Sequence, residues 1–257
     1  MQLLSVRDRD RDARELRSVA ALLVDDQLVG PVTLVRHGGK IIGATEVELV
    51  RPHVGAKLTV ATMLDGSQTA AVAHWGLSRR AELALIELAG PIDTGLDVRP
   101  LDLGAVCANV EPRGAPAALV GIVRDGAGFS RAFVPVHVDK NDSSDKPDVA
   151  PRLASPIEDG HVGMAMDGAS LFAWFPPNPA LARPGEVLVL GLAQAYRGFA
   201  KPREHPVIAE IIGLDDLGRA LLIAQKTDER EPELRQIAGE ITARGPAAER
   251  PRPPKKR

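Results

Sequence analysis

The chain has 257 residues, 44% of them hydrophobic and 26% charged, and 32 basic residues nearly balance 34 acidic ones. That is enough apolar material for one large domain or two small ones, which excludes a disordered chain and a disulfide-stapled miniprotein. A net charge of -2 supplies no field for nucleic acid, and no apolar run approaches the roughly 18 residues of a membrane span.

The chain opens with MQLLSVRDRDRDARELR, charged where a secretory signal would have its apolar region. The single cysteine, Cys107, fits a reducing compartment, so the expected location is the cytoplasm. Residues 8–17 alternate in charge at spacings that pair on a helix, and residues 1–17 form a charged N-terminal segment. From residue 18 the pattern is β. Short apolar runs cover 18–24, 32–35, 40–44, 57–63, 70–75 and 82–88. Turn signals at Asp25-Asp26, Gly38-Gly39 and Asp65-Gly66 separate them. Residues 89–113 are an irregular connector rich in Pro, Gly and Asp.

A second set of runs follows at 117–123, 131–138, 170–175, 187–192, 207–212 and 220–224. Between them, 139–148 (DKNDSSDKPD) has the composition of a solvated loop. Residues 228–243 place Leu234, Ile237, Ala238 and Ile241 at helical spacing, and the tail from Gly245 is basic and Pro-rich. The reading is all-β, two antiparallel β units at 18–100 and 101–243, the second closed by a helix, with a disordered basic tail at 244–257. No internal repeat is visible in the letters.

This layout and four local stretches resemble the trypsin-like serine proteases, particularly the disulfide-free bacterial high-temperature-requirement type. Residues 30–47 (GPVTLVRHGGKIIGATEV) are similar to the family's opening hairpin, which runs into a Thr-Ala-Ala-His-Val type segment. Residues 58–88 resemble its strand, Asp-Gly turn, strand and Asp-Leu-Ala-Leu-Leu segment. Residues 160–192 occupy the place of its Gly-Asp-Ser-Gly-Gly-Pro-Leu stretch, and 220–243 resemble its last strand and closing helix. The resemblance implies two six-stranded-type antiparallel β-barrels with a cleft between them.

The resemblance also locates the catalytic places, and acids fill them. Glu46 stands at the histidine place, Glu82 at the aspartate place, and Asp167 at the serine place, or Gly168 if the register slips by one. A carboxylate cannot relay protons as an imidazole does, and neither Asp167 nor Gly168 offers a hydroxyl. The expectation is therefore no catalytic residue: a pseudoprotease that binds or scaffolds a protein or peptide, with a sheet edge available for strand addition. It could also be a subunit of a larger assembly.

Two other readings compete. A divergent serine endopeptidase would use His53 as base and Ser170 as nucleophile, although Leu171 and Phe172 follow Ser170 where glycines should form the oxyanion hole. Three convergent carboxylates would hold a hard cation, against the plainer expectation that Arg51, Arg79 or Arg80 neutralise them.

No cofactor or metal is expected. The six histidines show no zinc spacing, and the acidic loop at 139–150 has Ser144 and Ala150 where a calcium loop needs Gly and Glu. Trp174 and Phe175, in an aromatic-poor chain, are the candidate contact residues, with a place in the core of the second barrel as the alternative.

Overall fold

The computed structural model describes residues 14–37, 40–77, 83–89, 97–102, 115–140, 152–156, 166–175, 186–195 and 209–213. The apolar runs become strands wherever turn residues let the chain reverse. Asp25 and Asp26 both take positive φ, +47° and +63°. Two left-handed residues in succession give the turn whose twist matches a tight hairpin, and Asp tolerates that conformation better than most residues. Seven strands follow one another in the first unit: β1 Val19–Val24, β2 Gln27–His37, β3 Lys40–Glu46, β4 Leu58–Ala61, β5 Thr69–Leu77, β6 Leu83–Leu88 and β7 Leu101–Asp102. Six more form the second: β8 Ala117–Asp125, β9 Gly128–Lys140, β10 Arg152–Pro156, β11 Ser170–Phe175, β12 Glu186–Ala195 and β13 Ala209–Gly213.

Each unit closes on itself. In the first, β1-β2-β3-β6-β5-β4 form a ring through antiparallel pairs, and β7 adds two parallel residues to β2. In the second, β8-β9-β10-β13-β12-β11 form a closed barrel. The two rings have the same connectivity, so a repeat that the letters do not reveal exists in the topology. The fold is all-β with two barrels, as the sequence implied.

Several boundaries differ from the sequence reading. β10 was not anticipated, because RLASP carries an Arg and a Pro and no apolar run. Asp139 and Lys140 belong to β9 instead of a loop, held by pairing with Leu153 and Arg152. The division at residue 100 falls one residue before β7, which pairs with β2 of the first barrel. Only a 3-10 turn, Arg14–Ser18, is described of the charged N-terminal segment. The Gly38-Gly39 turn, the run at 220–224, the closing helix and the basic tail lie outside the described residues.

Three apolar clusters organise the interior. Leu22, Val32, Leu34, Val60 and Ile86 pack inside the first barrel, and Leu119, Leu171, Leu190 and Met166 inside the second. The third cluster lies between the barrels, where Val19, Ala21, Leu23, Ile42 and Ala44 meet Val120, Ile122, Phe129, Phe172 and Trp174. Strand β1 therefore buries Ala20, Leu22 and Val24 on one face and Val19, Ala21 and Leu23 on the other. Strands β8 and β11 do the same.

Polar contacts also cross between the barrels. The Phe129 N–H donates to the Leu64 carbonyl at 2.6 Å. At Gly128 a Cβ would lie 2.5 Å from the Leu64 carbonyl oxygen and 3.0 Å from Asp65 Cα, so the two turns meet backbone to backbone. Arg131 of β9 reaches into the first unit. Its Nε donates to the Val19 carbonyl at 3.1 Å, and its Nη2 to the carbonyls of Asp97 at 3.1 Å and Arg17 at 3.3 Å. Burial pulls the guanidinium pKa down to about 10, with Arg17 adding to the shift and the Asp97 charge opposing it. It stays cationic at neutral pH.

Candidate functional site

The site is built where the end of β3 meets the turn that opens β11. Thr45, fully buried, donates its hydroxyl to the Pro31 carbonyl at 2.7 Å, which fixes the last residues of β3. Glu46 ends that strand and is buried. Two 3-10 turns follow, Val47–Leu49 and Arg51–His53, joined by the Val50 N–H to the Val47 carbonyl and the His53 N–H to the Val50 carbonyl. Glu48 turns outward and pairs with Arg51 at 2.6 Å. His53 is half-buried.

Facing this segment is the turn Met166 to Ser170. Its backbone is pinned: the Gly168 N–H donates to the Ala193 carbonyl at 2.8 Å, and the Ala193 N–H to the Ala169 carbonyl at 2.7 Å. Asp167 is buried. Gly168 has φ +76°, and a Cβ there would lie 2.8 Å from Thr45 Oγ1, 2.9 Å from Leu49 Cδ1 and 3.4 Å from the Glu46 nitrogen. The Leu49 methyl is the end of a flexible chain, but Thr45 Oγ1 is tied to Pro31. Position 168 therefore has neither the backbone conformation nor the space for a serine.

The residues singled out from sequence separate as follows. The structure brings the Glu46 segment and the Asp167-Gly168 segment together across the barrel boundary. Glu82 lies outside the described residues, so the third carboxylate place does too. Ser170 is fully buried between the barrels, and its hydroxyl shares a short hydrogen bond with that of Thr33. Among the described residues no hydrogen bond links Ser170 to His53. Trp174 is 9% exposed and packs on Phe133, 5.9 Å between ring centroids, and on Phe172, 6.5 Å away. It is a core residue, not a presented contact; Phe175 beside it is half-buried. Among the described residues the buried indole N–H of Trp174 has no hydrogen-bond partner. No group of three or more metal-capable side chains occurs among the described residues.

Sequence reasoning passed over Glu48, whose signal was the three-residue spacing to Arg51 that one 3-10 turn brings together. It also missed Thr33, for which no local signal exists, since its partner is 137 residues away.

No family model matches the chain, and no curated protein matches it by sequence. Solved structures do. The human heparin binding protein superposes with a TM-score of 0.53 at 13% identity, over 86% of this chain and 94% of that one. Two mutants of the same protein superpose with TM-scores of 0.52 and 0.55 at 16% identity, over 82% of this chain and 93% and 94% of theirs. At such identities the likeness concerns the fold. The fold is the trypsin-like two-barrel fold.

Proposed function

We propose that the chain is a catalytically inactive trypsin-like protein whose role is to bind or scaffold a protein or peptide. The observation that carries this reading is Gly168, a left-handed glycine against Thr45 and Leu49, which takes the nucleophile place if the register slips by one from Asp167. Asp167, the other candidate for the nucleophile place, offers a carboxylate in the same turn. Acyl transfer needs a hydroxyl that a base and a substrate can both reach. The endopeptidase alternative would have to use Ser170, which is fully buried and bonded to Thr33.

Two strand edges extend past their neighbours among the described residues and could receive an extended peptide. On β12, Glu186 and Val187, exposed and half-buried, pair only with β11, since β13 covers 191–195. On β8, residues 123–125, half-buried to exposed, pair only with β9. Such an edge binds through main-chain hydrogen bonds and needs no triad. Heparin, the ligand in the similar protein's name, is a polyanion, and a net charge of -2 does not favour a polyanionic partner here. The disulfide-free bacterial branch and a cytoplasmic setting remain part of the proposal, resting on the sequence resemblance and the single cysteine.

A fluorophosphonate serine probe tests the inactive reading. No specific labelling is expected at neutral pH. Labelling that Ser170→Ala removes would overturn it in favour of the peptidase. The binding half is read by hydrogen exchange with a library of extended peptides, which should slow exchange at 186–187 or 123–125.

A further inference from the structure

The two barrels share an apolar interface, and apolar contact is non-directional: it holds surfaces together without fixing their angle. What fixes an angle is a set of directional bonds. Arg131 supplies three from one side chain, to carbonyls on two stretches distant in sequence: Arg17 and Val19, where the N-terminal 3-10 turn runs into β1, and Asp97 within the connector. Val19 lies where β1 runs past β4, which covers only Ala21 to Val24. Arg17 carries a second bond at the same carbonyl, from the Arg99 N–H at 2.8 Å, which ties the connector to the N-terminal turn. The receiving surface is thus one braced unit of the first barrel, and the donor is a strand of the second.

The acceptors are neutral carbonyls, and no salt bridge to Arg131 is found among the described residues. A half-buried guanidinium gains little net stability from such bonds, because desolvation offsets them and the Asp97 charge compensates only in part. Its gain is geometric: a planar guanidinium meets three fixed carbonyls in one relative placement of the barrels only. We infer that Arg131 is a positioning residue that sets the angle between the barrels, and through it how the Glu46 and Asp167-Gly168 segments face each other, more than it sets the stability of either barrel. This holds whether or not those segments catalyse anything.

The test uses the full chain with Cys107→Ser and one spin label in each barrel, at the exposed positions Lys57→Cys and Glu186→Cys. Pulsed dipolar distance measurement should give one narrow distribution. Arg131→Met, which keeps a long apolar stem, should give a distribution about twice as wide or a shifted mean, with the far-UV spectrum unchanged. Arg131→Lys keeps the charge but cannot span three carbonyls, so it should broaden the distribution as well. A purely stabilising Arg131 would lower the unfolding midpoint and leave the distances alone. An unchanged distribution in a folded Arg131→Met would overturn the inference; if that variant does not fold, an unchanged distribution in Arg131→Lys would do so.

Discussion

The two barrels have the same strand connectivity but meet each other with different materials. The first presents mainly small and aliphatic side chains to the interface, among them Val19, Ala21, Ala44 and Ala61. The second presents Phe129, Phe172 and Trp174, with Phe133 packed behind them. Among the described residues, every aromatic side chain in the shared cluster therefore comes from one side. The first barrel is a shallow platform, and the second carries the bulk that fills it. Removing a large side chain from the second should disturb both barrels, whereas removing one from inside the first should disturb mainly that one.

The largest expected effect tests this directly. Phe172→Ala, at a fully buried interface position, should destabilise the protein by about 3–5 kcal/mol and let the barrels melt apart. Leu34→Ala, inside the first barrel, should cost about 2–5 kcal/mol and lower the first barrel's transition ahead of the second's. The two tryptophans, Trp75 on β5 and Trp174 on β11, report the barrels separately in single-tryptophan variants. If Phe172→Ala lowered only the second barrel's signal, or Leu34→Ala lowered both signals equally, the asymmetry between the barrels would be wrong.

A smaller effect probes the polar seam. Ser170→Ala and Thr33→Val should each cost about 1–3 kcal/mol, because each leaves a buried hydroxyl without its partner. The double variant should cost less than the sum, and denaturant melts of all four proteins give the coupling. Strict additivity would mean that the pair does not act as a unit. The smallest effect is at the surface, where Lys40 and Glu87 pair at 2.7 Å with side chains 62% and 34% exposed. Lys40→Ala should change stability by no more than about 1 kcal/mol, and less at high salt.

How much of this was legible depends on what a local pattern can encode. The runs SVAALLV and SLFAWF read as strands; they are β1, which begins one residue later at Val19, and β11, residue for residue. Their lack of alternation also has a cause: both faces are buried, one inside a barrel and one against its neighbour, so no position calls for a polar residue. Strand β10 escaped because Arg152 to Pro156 is specified by its neighbours β9 and β13, not by its own composition. The matching connectivity escaped because backbone pairing is blind to side-chain identity. At the site, the resemblance pointed to the Glu46 and Asp167-Gly168 segments, and in the structure a Cβ at Gly168 would lie 3.4 Å from the Glu46 nitrogen. The resemblance gave no indication that Ser170 would be occupied by Thr33, nor that Trp174 would lie inside, since both depend on how two distant surfaces meet.

The double burial of β1 bears on how the chain is made. During synthesis the first barrel emerges complete, through β7, before any of β8 exists. Its outer face of Val19, Ala21, Leu23 and Ile42 then stands uncovered. Phe172 and Leu192, which help cover that face, emerge as much as roughly 90 residues later, or some 5–18 s at typical ribosomal speeds. Until then the newborn half-protein carries an adhesive patch. A ribosome-bound holdase is most needed in that interval, and a chain truncated before β11 should aggregate where the whole one does not.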